Sequence, residues 1–497
     1  MGRMRILLTL LVAIALAACG TLAESARDAL HPLALEGTRW GLVVMTMEGD
    51  ELVAIRPDER FVPASNTKLF TTAAAFHRLG SMTSPDPSMG TSIRLKPREH
   101  GPPDLVLVGG GDAMLIDADD CERDCLADLA DTVAASGIKR INDLIGDDTL
   151  YPDQPWPMGW SWEDLATRSG AATSALTVNN NEIALVITPA AEAGQPASVT
   201  WREGDMVAEG YPRDVRNDIV TIASVKGVDA VFGVERLPDS PIVHVYGQVK
   251  VGAVQQTVPV AVTSPANAAA WRFRHLLQKR GVVVDGSVQT WRRPVQLTDD
   301  PELRKGASPP SPRKEGFEIA RLLPSPLAED VTFLMKQSQN LHAELLLRRL
   351  GLIEGGGSIE DGLAIVYKML ETAGADRAAW DFSDGSGMSV YNRVTPRMVA
   401  NFLRWTSQQD WGEAFRATLP IGGVDGTLRR RFVATRLEGR IFAKTGTLTG
   451  VNALSGFMQT KSGKTLIFSA YANDRPSEAD SSVAALDAAL LELSETN

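Results

Sequence analysis

Three short stretches carry residues able to run an acyl transfer: Ser65-Asn66-Thr67-Lys68, Ser338-Gln339-Asn340 and Lys444-Thr445-Gly446, in that order along the chain. A serine hydroxyl is a poor nucleophile until a neighbouring group takes its proton. Ser65 follows Phe-Val-Pro-Ala and opens a run whose pattern predicts a helix from Ser65 to near Gly80. Residues three apart share a helix face, so Lys68 falls beside Ser65. A lysine can accept that proton only if desolvation or a second cation lowers its pKa, and Lys444 could be that cation. The helix start also leaves N–H groups free to meet developing negative charge on an attacked carbonyl. Neither a histidine nor a metal is called for, and no cofactor is expected.

Each stretch has a bland counterpart. Ser136-Gly137-Ile138-Lys139 and Ser311-Pro312-Arg313-Lys314 repeat the Ser/Lys spacing, but the first reads as a strand entry and the second is Pro-rich and cannot hold a helix. Ser338 precedes a Leu-rich helical run and could relay a proton, while Asn340 could both donate to and accept from a peptide. Ser338 could equally cap that helix. Lys444 lies in an apolar-flanked strand ending in small hydroxyl residues, where Lys444, Thr445 and Thr447 offer donors for a carboxylate and Gly446 permits close backbone approach. Read alone, Lys444 could be a solvated edge-strand lysine. All three bland readings must hold together for the chemistry to fail.

Further stretches, Gly109-Gly110-Gly111-Asp112, Gly159-Trp160-Ser161-Trp162-Glu163-Asp164, Asp384-Gly385-Ser386-Gly387 and Gly423-Val424-Asp425-Gly426-Thr427-Leu428, extend the pattern. In order and spacing the set resembles the D-alanyl-D-alanine carboxypeptidase/endopeptidase family, the type-4 class of penicillin-binding proteins, over roughly residues 38 to 475. Gln339 stands where that family usually has Asp, and Val390 where it often has Arg. The resemblance implies an α+β fold with a penicillin-binding-protein/serine β-lactamase-like core, peptidoglycan stem peptides as substrate and β-lactams as covalent inhibitors. It also implies an oxyanion hole from the Ser65 and Thr447 N–H groups. It further places on Asp164 the acidic residue that holds the free amine of the stem peptide, with Glu163 a close competitor and helix capping the plain alternative. Asp384 and Asp425, beside their glycines, read as turn formers. A β-lactamase or esterase on the same fold, or a non-catalytic peptidoglycan-binding lipoprotein, are the competing functions.

At 497 residues with 44% hydrophobic content the chain is long enough for two or more folding units. A net charge of −11 argues against nucleic-acid binding. Arg3 and Arg5 precede an apolar run from Ile6 to Ala18, which predicts a secretory signal peptide over 1–19, too short to span a bilayer. Leu16-Ala17-Ala18-Cys19 resembles a lipobox, so Cys19 is the expected lipidation site and sole membrane attachment, and an exported, periplasmic protein follows. Cleavage nearby, as after Ala23, would instead discard Cys19. Cys121 and Cys125 are an even pair in an exported chain, which suggests a disulfide across a turn or helix start.

Alternation over residues 39–57, and again over Ala453 to Thr460 and Thr465 to Ala472, predicts that both termini add strands to one antiparallel sheet flanked by helices. About 270 residues separate Lys68 from Ser338, too many for a connection within one core. The expectation is a discontinuous catalytic domain of residues 38–90 and 265–497, with 91–264 inserted as β-rich material in two nested subdomains. Ser264 to Gly281 reads as a helix, capped by Ser264, that returns the chain to the core.

Overall fold

The computed structural model describes residue 30 and residues 35–118, 120–202, 214–225, 230–237, 240–477 and 482–496. The expected signal peptide, its lipobox and Cys19 lie outside the described residues. The chain forms two compact units, the first of Met1–Gly80, Val331–Gln339 and Leu363–Asn497, the second of Ser81–Asp330 and Asn340–Gly362. Helices with antiparallel and mixed sheets make the fold α+β.

In the first unit an antiparallel sheet runs in the order Ile441–Leu448, Val451–Gln459, Thr465–Asn473, Arg39–Thr46, Glu51–Ile55. Both ends of the chain therefore meet in its centre, as the alternation predicts, with Leu42 opposite Ala470 and Val44 opposite Phe468. On one face Trp40, Leu42, Val44, Leu454, Met458 and Phe468 bury against Leu486, Ala489, Leu490 and Leu493 of the last helix, Val483–Thr496. The other face carries helix Pro396–Ser407, whose Thr395 accepts from the Met398 N–H as N-cap and whose Pro396 takes the first helical position. Phe402 of that helix packs 4.7 Å from Phe70 of helix Lys68–Arg78. That contact fixes the helix that follows Ser65 on the sheet.

The second unit corrects the expected domain boundaries. Its largest sheet orders Val288–Arg293, Leu144–Pro152, Asp104–Val108, Ser92–Lys96, Phe317–Arg321, with the first three strands parallel. Strands from both sides of residue 265 thus share one sheet. Helix Pro265–Lys279, expected to return to the catalytic core, instead buries Ala266, Ala270, Phe273 and Leu277 with Leu105, Leu107 and Leu144 of this sheet. Ser264 stands at its N-cap without a side-chain capping bond, and its Oγ accepts from Arg292 at 2.7 Å. Two three-stranded sheets complete the unit: Gln256–Ala261, Glu182–Thr188, Ser198–Trp201, and Phe232–Glu235, Val243–Lys250, Val215–Ile222. Cys121 and Cys125 are disulfide-bonded, and Cys125 occupies the N-cap of helix Leu126–Ala135, so the bridge spans a helix start. Among the described residues no helix is long and apolar enough to cross a membrane, and no cluster of His, Cys, Asp and Glu fits a metal ion.

Asp112 is a buried liability in this unit. Its Oδ1 accepts from the Met114 N–H at 2.9 Å, while Oδ2 is buried without a hydrogen-bond partner among the described residues. Burial, then the charges of Asp124 and Asp330, push its carboxyl up to about 7. An unfolded Asp ionises near pH 4, so between about pH 4 and 7 the native state binds the extra proton. Its contribution to stability therefore falls as pH rises across that window and is level above it. We expect Asp112→Asn to flatten that slope and to exceed the wild type by about 1–3 kcal/mol at pH 8. Denaturant unfolding at pH 4.5, 6 and 8 measures both.

Candidate active site

The segment leading to Ser65 is pinned from three sides. Phe61 exchanges backbone hydrogen bonds with Val394 at 2.8 and 2.9 Å, the Val62 N–H donates to Asn473 Oδ1 at 2.7 Å, and the Phe61 ring stacks on Tyr471. Ala64 then takes a left-handed conformation, φ 47°, which costs a non-glycine residue roughly 1 kcal/mol. The chain enters a 3-10 turn, Ala64–Thr67, before the α-helix Lys68–Arg78. The helix expected from Ser65 thus begins three residues later, because the left-handed Ala64 tightens the entry. The three-residue spacing still works: Lys68 Nζ donates to Ser65 Oγ at 2.9 Å. Ser65 is partly exposed while Lys68 is 0% exposed.

Lys68 Nζ also donates to the Ser386 carbonyl at 2.6 Å. Residue-type reasoning missed that partner, since a backbone oxygen leaves no signature. Its loop is shaped by Asp384, which accepts from the Gly387 N–H at 2.9 Å, the Ser389 N–H at 2.6 Å and Asn392 Nδ2 at 2.6 Å. Thr71 of helix Lys68–Arg78 donates to the Gly385 carbonyl at 2.7 Å and ties loop to helix. Gly387 has φ 89°, and a Cβ there would stand 1.9 Å from the Ala64 carbonyl oxygen. Asp384 is therefore a turn former whose turn presents a carbonyl to Lys68.

Ser338 ends helix Leu327–Gln337 in a left-handed conformation, φ 59°. Its Oγ accepts from Lys444 Nζ at 2.8 Å, and Lys444 Nζ also donates to the Thr445 carbonyl at 2.9 Å. Lys444 is 0% exposed, although its strand is the edge of the sheet, so it is no solvated surface lysine. Burial, then the charge of Lys68, holds the Lys444 ammonium pKa well below its ordinary value. Lys68 is thus close enough for its charge to act on Lys444. Asp425 forms its turn by accepting from the Ile421 N–H at 2.8 Å, and it receives Lys336 Nζ at 2.6 Å, which anchors the end of the Ser338 helix.

Along the same strand Thr445 Oγ1 donates to Thr427 Oγ1 at 2.8 Å, and Thr447 is exposed with Oγ1 accepting from Asn452 Nδ2 at 3.3 Å. Gly446 sits directly on the turn that carries Ser65: a Cβ there would lie 2.6 Å from the Pro63 carbonyl oxygen and 3.1 Å from Ala64 Cβ. Its lack of a side chain thus admits protein backbone, where the sequence suggested a ligand. Beneath lies a buried polar chain that sequence reasoning did not find, from Asn66 Nδ2 to Ser455 Oγ (2.8 Å), Ser469 Oγ (3.0 Å) and the Tyr471 hydroxyl (3.1 Å).

Ser65, Lys68, Ser338, Lys444, Thr445, Gly446 and Thr447 all belong to the first unit, and Asn340 and Asp164 to the second. Asn340 opens helix Asn340–Gly351, and its Nδ2 donates to the Ser169 carbonyl at 2.9 Å. Asp164 lies within the 3-10 turn Trp162–Ala166, whose N-cap is Ser161, so it sits inside the turn and not at its cap. Burial, then the neighbouring Glu163 charge, raises its carboxyl pKa.

The family model of the D-Ala-D-Ala carboxypeptidase 3 (S13) family matches residues 22–492. The chain belongs to this family. It is accordingly a serine-type hydrolase of the D-Ala-D-Ala carboxypeptidase class. It is 34% identical over 452 residues to a D-alanyl-D-alanine carboxypeptidase of Actinomadura sp. (strain R39), covering 88% of this chain and 78% of that protein. It is 25% identical to the D-alanyl-D-alanine carboxypeptidase DacB of Haemophilus influenzae, covering 88% and 86%. The crystal structure of penicillin binding protein 4 from H. influenzae shares the fold, with a TM-score of 0.77 at 23% identity over 94% of this chain and 98% of that one.

Since Gly446 leans on the Pro63 carbonyl, Gly446→Ala should push the strand off the nucleophile's turn. The expected cost is about 1–3 kcal/mol of stability, together with a fall of tenfold or more in the rate of labelling by a fluorescent penicillin. Thermal unfolding and a labelling time course read the two separately.

Proposed function

We propose that this S13 member cleaves the D-Ala-D-Ala ends or cross-links of peptidoglycan stem peptides through an acyl-enzyme on Ser65. The 2.9 Å hydrogen bond between Ser65 Oγ and Lys68 Nζ, beside a second buried lysine, carries the reading. With one lysine disfavouring charge on the other, Lys68 takes the hydroxyl proton as Ser65 Oγ bonds to the scissile carbonyl carbon. The carbonyl oxygen becomes an oxyanion met by the Ser65 and Thr447 N–H groups. Ser338, held by Lys444 at 2.8 Å, delivers a proton to the departing amine as the C–N bond breaks, and the proton that Lys68 took from Ser65 passes back to Ser338, which returns Lys68 to its neutral form. Lys444, Thr445 and Thr447 hold the terminal carboxylate, and Asn340, by its place two residues after Ser338, holds the substrate amide. Asp164 is assigned the free amine of the stem peptide. Water then attacks the ester, with Lys68 as base, and frees Ser65.

A β-lactam presents a strained amide to the same hydroxyl, so covalent acylation of Ser65 by penicillins belongs to this proposal. The H. influenzae protein of the same fold has been solved in complex with a β-lactam. The proposal includes export to the periplasm behind a signal peptide over 1–19 and a lipid anchor on Cys19, which the Arg3/Arg5, apolar-run and Leu16-to-Cys19 pattern supports.

Fluorescent penicillin should label the wild type and fail to label Ser65→Ala, with release of D-Ala from muropeptides falling by at least a thousandfold in that variant. Equal labelling of both proteins would remove the acyl-enzyme. Loss of D-Ala from monomeric muropeptides reads carboxypeptidase action, and conversion of dimers to monomers reads endopeptidase action. In cells fed a labelled fatty acid, the wild type should carry label that Cys19→Ser lacks, and absence from both would sink the anchor.

A further inference from the structure

The small sheet of the second unit formed by Phe232–Glu235, Val243–Lys250 and Val215–Ile222 has two unlike faces. Inward it buries Ile219, Val243, Val245 and Val249. Outward its register sets Gly233, Tyr246 and Asp218 in one row and Glu235, His244 and Arg216 in the next, with Gln248 and Val220 beyond. Tyr246 is 43% exposed and Val220 also 43%.

Tyr246 lies across Gly233: a Cβ on that glycine would be 2.5 Å from the ring. The missing side chain is what lets the ring lie low on the sheet beside its strand partner. The polar groups along its rim are fixed. His244 ring nitrogens stand 2.8 Å from Glu235 Oε1 and 2.9 Å from Asp218 Oδ2, Arg216 Nε donates to Asp218 Oδ2 at 2.8 Å, and the His244 ring is 5.2 Å from that of Tyr246. Covering a strand glycine with an aromatic ring is a packing device known in sheets. It does not call for two carboxylates, a histidine and an arginine locked together on a solvent-facing surface, where such ion pairs add little stability.

A low aromatic ring rimmed by preorganised hydrogen-bonding groups matches a pyranose, whose axial C–H face packs on a ring while its equatorial hydroxyl and acetamido groups bond sideways. The other ligand classes fit less well. The outward face sets Tyr246 and Val220 among charged side chains, unlike the apolar core of a stable protein interface. Asp218 and Glu235 repel phosphates, and a net charge of −11 disfavours nucleic acid. Arg216 and His244 already occupy the carboxylates, which leaves little to attract a free cation.

We infer that the outer face of this sheet, centred on Tyr246, binds the glycan of peptidoglycan through a β-1,4-linked N-acetylhexosamine unit, at a site separate from the residues around Ser65. The choice of an N-acetylated glycan rests on the peptidoglycan reading above. The sheet thereby grips the polymer whose peptides the first unit cleaves.

Titration of the full-length protein with chitotetraose, followed by calorimetry or by amide NMR shifts, tests the site. Saturable binding should weaken at least tenfold in Tyr246→Ala and in Tyr246→Gln, which keeps side-chain bulk should the alanine variant not fold. Tyr246→Phe should stay within about twofold of the wild type, because the ring and not its hydroxyl makes the stack. No binding by the wild type, equal binding by Tyr246→Gln, or displacement of the sugar by choline would overturn the site. Hydrolysis of a glycan-free D-Ala-D-Ala peptide should be unchanged in Tyr246→Gln. Failure of the wild type on that peptide would count against the carboxypeptidase reading alone.

Discussion

The constraint on which the first unit depends is the burial of two lysine side chains beside one another. Lys68 and Lys444 are both 0% exposed, and the charge of Lys68 is one of the two causes of the lowered Lys444 pKa. Burying an ammonium is tolerable if it finds acceptors, but the kind of acceptor decides what the lysine can do. A carboxylate would hold it charged, whereas a hydroxyl or carbonyl satisfies its hydrogens without adding a countercharge. Lys68 donates to Ser65 Oγ and the Ser386 carbonyl, and Lys444 to Ser338 Oγ and the Thr445 carbonyl. Two carboxylates of this unit hold the surrounding frame: Asp384 shapes the loop that presents the Ser386 carbonyl, and Asp425 takes the Lys336 ammonium.

This arrangement demands positional accuracy that side chains alone do not supply. Ser65 sits on a turn with glycine backbones packed on it, Gly446 against the Pro63 carbonyl and Gly387 against the Ala64 carbonyl. Left-handed Ala64 and Ser338 add local strain at the two hydroxyls. Such strain persists because the Val394 bridge, the Asn473 amide and the Phe61–Tyr471 stack over-determine the path into the turn. Rigidity around Ser65 is thus built from the sheet upward, through the strands that the two chain ends contribute.

The Ser65–Lys68 contact was legible in the sequence because three-residue spacing at a helix start is a local signal, and the Ser338–Lys444 contact because both residue types stood out in their stretches. The terminal strands were legible for the same reason, since alternation is a short-range signal. The extent of the second unit was not. Strands Val288–Arg293 and Phe317–Arg321 pair with Leu144–Pro152 and Ser92–Lys96, partners far off in sequence. Nothing in a short strand names the sheet it will join. Helix Pro265–Lys279 was recognisable as a helix, yet its apolar face carries no label for the sheet it covers. The Ser386 carbonyl was illegible in principle, as every residue has one.

The buried chain Asn66–Ser455–Ser469–Tyr471 follows from the same constraint. Ser455 is the cross-strand partner of Lys444, and Asn66 adjoins Ser65, so this chain floors the site. An apolar floor would pack as well and would avoid aligning four buried polar groups. A charged floor would satisfy them more strongly, but a carboxylate opposite Lys444 would supply a countercharge and raise its lowered pKa. Neutral amide and hydroxyl groups are the remaining choice: they satisfy one another without placing a countercharge beside Lys444. A polar but uncharged layer beneath the two buried lysines therefore leaves the lowered Lys444 pKa in place.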